Sequence, residues 1–131
     1  GPIFDMADGD MEIGMGIHGE PGVRRGKIDT ADKVIDEIME PILKDLPYVE
    51  GDEVYVLVNS LGATPLIDLH ICYRRVAQIL EEKGIKVYKA LVGPFACSMD
   101  MAGMSVTLMK LDDELKELMD APCDTPYFTQ K

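Results

Sequence analysis

EVYVLVNSLGATPLIDLHICYRRVAQIL, Glu53 to Leu80, is the stretch on which the fold class turns. Its opening, EVYVLVN, is short, rich in β-branched and aromatic side chains and bounded by Gly51 and Gly62, which predicts a strand over Glu53–Asn59. The apolar positions then change period. Leu66, Leu69, Tyr73, Val76, Ala77 and Leu80 form one helical stripe. It is opened by Thr64-Pro65, a capping residue followed by a proline that the first turn tolerates, and stopped by Gly84.

The alternation continues outward in both directions. Ile85 to Val92 and Ser105 to Leu111 read as two further strands, and Asp112 caps a short acidic helix, DDELKELM, closed by Pro122. Upstream, Asp29 is the expected N-cap of a helix with Asp32 three positions on. Val34, Ile35, Ile38, Ile42 and Leu43 lie on its apolar face, and Pro41 is expected to end or kink it. Met11 to Ile17 has the Met and Ile content of a strand buried on both faces. Strands alternating with helices predict an α/β domain with helices packed on a sheet, most simply on one face.

Composition bounds the function. The chain has 131 residues, 47% of them hydrophobic and 28% charged, which suits one globular domain. A net charge of -11 argues against nucleic acid, whose affinity comes from clustered Lys and Arg. The one basic cluster, Arg24, Arg25 and Lys27, reads as a solvated loop, with contact to a partner's phosphate or acidic face as the alternative. No apolar run is long enough to span a membrane, and no signal peptide is evident. Cys72, Cys97 and Cys123 are widely spaced and lack a Cys-x-x-Cys pattern, so they read as free thiols in a reducing compartment and the expected location is cytoplasmic. Residues 1–10 read as a leader whose Gly1-Pro2 resembles a cloning scar.

The chemistry concentrates in GMGIHGEPG, Gly14 to Gly22, where glycines and a proline surround His18. The string matches G-x-G-x-x-G, but a dinucleotide turn needs a helix to begin inside it, and here Glu20-Pro21-Gly22 follows. A Walker loop is excluded because Gly-Lys-Ser/Thr is missing. What remains is an imidazole beside small residues that would admit a compact electrophile, with Glu20 two positions on to orient or polarise the ring. The alternative is a loop histidine hydrogen-bonded to backbone. His70, between core positions of the Thr64 helix, reads as structural. Asn59, Ser60 and Ser98 either line a pocket or cap turns.

Together, GMGIHGEPG, VYVLVNSLGATPL, RRVAQILEEKGIKVY and SMDMAGMSVTLMKLDDELKELMDAP resemble the C-terminal part of the dihydroxyacetone-binding subunit of dihydroxyacetone kinases, from about Glu12 to Pro126. The resemblance implies a two-layer α/β domain with a mixed sheet over residues 11–128 of a DhaK-like subunit, the family's N-terminal half being absent. It implies that His18 holds dihydroxyacetone as a covalent hemiaminal for phosphorylation, and that this fragment alone is inactive. The phosphoryl donor, ATP or ADP with magnesium, would be carried by a separate DhaL-like subunit or domain, in some members supplied by a phosphotransferase-system protein. No cofactor or metal is expected on this chain. A homodimer is expected at full length. Ser60, Pro94 and Met104 depart from the residues common in the family. A regulatory paralogue that binds dihydroxyacetone and signals to a transcription factor is the alternative, and a purely structural module is the third reading.

Overall fold

The computed structural model describes residues 5–99 and 101–131, so the first four residues of the expected leader, and Asp100 of the MDMAGMS turn, lie outside the described residues. Strands β1 (Asp10–Ile13) and β2 (Arg24–Lys27) precede helix α1 (Ala31–Asp45). Then come β3 (Glu53–Ser60), α2 (Leu66–Glu82), β4 (Lys86–Gly93), β5 (Met104–Leu111), α3 (Asp113–Asp120), β6 (Cys123–Asp124) and β7 (Thr129–Gln130).

The central sheet has the order β4-β3-β5. β3 runs parallel to β4, joined through α2, and antiparallel to β5, which makes the sheet mixed. Because side chains alternate along a strand, Val54, Val56 and Val58 share one face, and all three are fully buried. Ile35 and Met39 of α1 and Leu69, Val76, Ile79 and Leu80 of α2 join them in one core with Ile85 and Leu108. α1 lies against α2 and β5, and α2 against β3 and β4, so this face carries the two long helices. On the other face Tyr55 is also buried, and burial pushes its phenol up.

Local corrections follow from tertiary context. The N-terminal strand is shorter than Met11–Ile17 and only Ile13 in it is buried, because it pairs in a separate two-stranded ribbon with β2. Thr30 rather than Asp29 is the N-cap of α1; the Asp29 side chain accepts from the Thr30 N–H at 2.8 Å instead. Pro41 does not end the helix, which continues to Asp45 with the proline on its exposed side. α2 starts at Leu66 with Pro65 as its cap. Thr64 is diverted from capping: its hydroxyl donates to the Gly103 carbonyl and accepts the Gly103 N–H, at 2.8 and 2.9 Å. Leu66, expected in the buried stripe, is 52% exposed.

Gly84 ends α2 as expected. Its φ of +68° turns the chain so that Ile85 N–H reaches the Leu80 carbonyl and Gly84 N–H that of Glu81, both at 2.9 Å. Asp112 caps α3, its side chain accepting the Leu115 N–H at 2.8 Å.

Candidate functional site

The β1–β2 ribbon pairs Asp10 with Lys27 through Ile13 with Arg24, so the segment between, which contains His18, must close as its loop. The loop is organised by its own backbone. Gly16 N–H donates to the Glu20 carbonyl and Gly19 N–H to that of Gly16, both at 3.0 Å, and Val23 N–H donates to Ile13 at 2.8 Å. Glu12 anchors its base: one carboxylate oxygen accepts the Gly22 N–H at 2.6 Å, the other the Arg25 guanidinium at 3.0 and 2.5 Å. The Gly22 N–H, then Arg25, hold the Glu12 carboxyl below the usual glutamate range.

The basic cluster is therefore a strand and not a loop. Arg24 makes a two-pronged contact with Glu37 at 2.5 and 2.6 Å, tying the ribbon to α1, and Lys27 Nζ lies 2.5 Å from Asp10 Oδ1. These cations are engaged within the fold.

The glycines serve the loop before they serve any ligand. A Cβ at Gly16 would lie 2.0 Å from Glu20 Oε2 and displace that side chain, whereas one at Gly22 would lie 2.5 Å from the Ile13 carbonyl and force the loop backbone apart. Gly19 takes φ +89°, a region that side-chain-bearing residues rarely adopt. The turn that results holds His18 outward. Its side chain is 85% exposed, its backbone N–H donates to Glu20 Oε2 at 3.1 Å, and its ring Nδ1 lies 3.5 Å from Glu20 Oε1. Among the described residues no hydrogen bond reaches Nε2, on the other side of the ring from the pair with Glu20.

The other sequence candidates fall elsewhere. Asn59 and Ser60, at the end of β3, are buried and fully committed to turns: Asn59 Oδ1 accepts Phe95 and Ala96 N–H at 2.8 Å, and Ser60 Oγ donates to the Thr64 carbonyl at 2.8 Å. Ser98 is exposed and contributes its backbone N–H to the Leu61 carbonyl. His70, expected to be structural, lies on the exposed side of α2. Cys72 is half-buried, and burial raises its thiol, whereas Cys97 and Cys123 are exposed. An open groove between α1 and α2, lined by Met39, Leu43, Arg75 and Ile79, does not include the His18 loop.

A nucleotide site does not fit the G-x-G-x-x-G match, since the next helix begins only at Ala31 and so presents no N-terminus to a pyrophosphate in the loop. Among the described residues no cluster of three or more His, Cys, Asp and Glu is gathered as a metal site. None of the helices there is long and apolar enough to cross a membrane.

Comparison with known proteins identifies the family. The chain is 58% identical over 126 residues to the dihydroxyacetone-binding subunit DhaK of PTS-dependent dihydroxyacetone kinase 2 from Listeria innocua serovar 6a. The match covers 96% of this chain and 38% of that relative, so the chain spans about two fifths of its length. A solved structure described as regulation of the dha operon of Lactococcus lactis is similar with a TM-score of 0.86 at 28% identity, over 95% of this chain and 40% of that one. The dihydroxyacetone kinase operon co-activator Dha-DhaQ is similar with a TM-score of 0.83 at 30% identity, over 91% and 38%. The Dak1 domain model matches residues 1–127, and the chain, with its mixed α/β sheet, belongs to the Dak1 domain family.

Proposed function

We propose that this domain is the substrate-tethering part of a dihydroxyacetone kinase, holding dihydroxyacetone on His18 as a hemiaminal. The observation that carries the reading is a ring projected from a self-braced loop, with Nδ1 beside a carboxylate and Nε2 open. Nε2 attacks the ketone carbon, forming the C–N bond as the carbonyl π pair moves to oxygen. The oxygen takes a proton from water, and the ring gives up its Nδ1 proton to solvent, leaving a neutral adduct. A three-carbon ketose has little surface to bury, so a reversible covalent bond supplies the grip that contact area cannot. Tethering also fixes the hydroxyl that faces the phosphoryl donor, and phosphoryl transfer rests mainly on positioning and charge stabilisation.

In this reading the donor, ATP or ADP with magnesium, is carried by a DhaL-like partner subunit or domain, as the family resemblance implies; the helix after the loop begins only at Ala31, in keeping with a nucleotide held elsewhere. The proposed setting is a cytoplasmic homodimer at the full length of the family's subunits. The domain alone is expected to give no turnover of dihydroxyacetone with the donor subunit, ATP and magnesium, beyond that of a His18→Ala control.

Calorimetric titration and mass spectrometry of a full-length subunit carrying this domain test the tether. Wild type should bind dihydroxyacetone and ignore glycerol, which has no carbonyl, and the adduct should be absent from His18→Ala. Equal affinity for both ligands, or an unchanged preference in the variant, returns His18 to a loop histidine. The similarity to Dha-DhaQ favours a second reading, a dihydroxyacetone-sensing co-activator without kinase activity. Adduct formation without phosphoryl transfer in the presence of the donor subunit would select it.

A further inference from the structure

We infer that Glu20 is the positioning residue of the tether, selecting the Nδ1–H form of the His18 ring so that the Nε2 lone pair points outward, and that Gly16 is its seat. This rests on the hemiaminal reading for its purpose, though not for its geometry. Two contacts converge on one carboxylate: Oε2 accepts the His18 backbone N–H at 3.1 Å, and Oε1 stands 3.5 Å from Nδ1. A carboxylate accepts only, so the neutral ring meets it best with the proton on Nδ1, which leaves Nε2 unprotonated. At 3.5 Å the second contact is longer than an ordinary hydrogen bond, and it acts on the ring as a charge-to-dipole interaction.

The bonds that close the loop do not use this side chain, whose hydrogen bond within the loop is with the His18 backbone N–H. The Gly16–Glu20 and Gly19–Gly16 bonds use backbone atoms alone, and the base of the loop is held by Glu12. Yet Gly16 leaves vacant the space that the Glu20 carboxylate occupies, for a Cβ there would stand 2.0 Å from Oε2 and 2.8 Å from the Glu20 Cβ. The φ of Gly16 lies outside the positive region, so backbone conformation does not demand glycine there; the carboxylate does. Pro21 adds a further constraint by disfavouring helical backbone at Glu20.

The test reads the ring directly. The chain has two histidines, so nitrogen-15 spectra of the neutral rings can be assigned with His18→Ala and His70→Ala. Wild type should show His18 protonated at Nδ1. In Glu20→Gln the amide can donate to Nδ1, so the proton should move to Nε2, and adduct formation in the full-length subunit should slow about 10-fold or more. Glu20→Asp should restore the Nδ1–H form in part, and Gly16→Ala, which displaces the carboxylate, should behave like Glu20→Gln. Unchanged His18 ring signals in Glu20→Gln overturn the positioning role whatever the adduct does. A shifted ring signal with no adduct in wild type supports the positioning and refutes the tether instead.

Discussion

Replacing Asn59 with alanine tests whether the end of β3 is a turn anchor. Asn59 is 2% exposed, and its side chain makes three hydrogen bonds to the segment after β4: Oδ1 accepts Phe95 and Ala96 N–H at 2.8 Å, and Nδ2 donates to the Ala96 carbonyl at 2.9 Å. At about 1 kcal/mol net for each bond, the gross loss is about 3 kcal/mol. Two effects move that figure in opposite directions. Ala96 is exposed, so water can satisfy its freed groups, while the half-buried Phe95 N–H is harder to reach. The expected loss is therefore about 2–3 kcal/mol, a large share of the roughly 5–15 kcal/mol typical of a domain. Urea denaturation at constant m-value measures it, and hydrogen exchange at Phe95 and Ala96 locates it. A loss under about 0.5 kcal/mol, the range of ordinary surface substitutions, or unchanged protection of those two amides, would refute the assignment.

Gly84→Ala should destabilise the chain by about 1–3 kcal/mol in the same denaturation assay, because its φ of +68° is unfavourable for a side chain. Its Cβ would also stand 2.6 Å from Glu50 Cγ. The Glu12 carboxyl is held low by Gly22 N–H and Arg25. Its contribution to the ribbon is therefore full above the free-glutamate value of about 4.3 and is lost as pH falls through the lower folded value. The Gly22 amide resonance followed in acid should report that loss, and Glu12→Gln should make the resonance insensitive to it.

The elements of the central domain were legible because each depended on neighbours in the chain. EVYVLVN formed β3, the Leu69–Leu80 stripe packed, Gly84 reversed the chain, and Asp112 capped α3. The resemblance carried by the IHGEPG and LVNSLGATP strings was likewise sufficient to anticipate the family. Three-dimensional contacts governed the rest. Arg24, Arg25 and Lys27 look like loop cations until β1 pairs with them and Glu37 comes across from α1. Thr64 looks like a cap until Gly103, distant in sequence, takes its hydroxyl. The glycines around His18 suggest ligand access, but a string of letters does not show that the space beside Gly16 is taken by Glu20. That juxtaposition depends on the loop's closure, which in turn depends on strand register and on Glu12, and neither is encoded by local propensity alone.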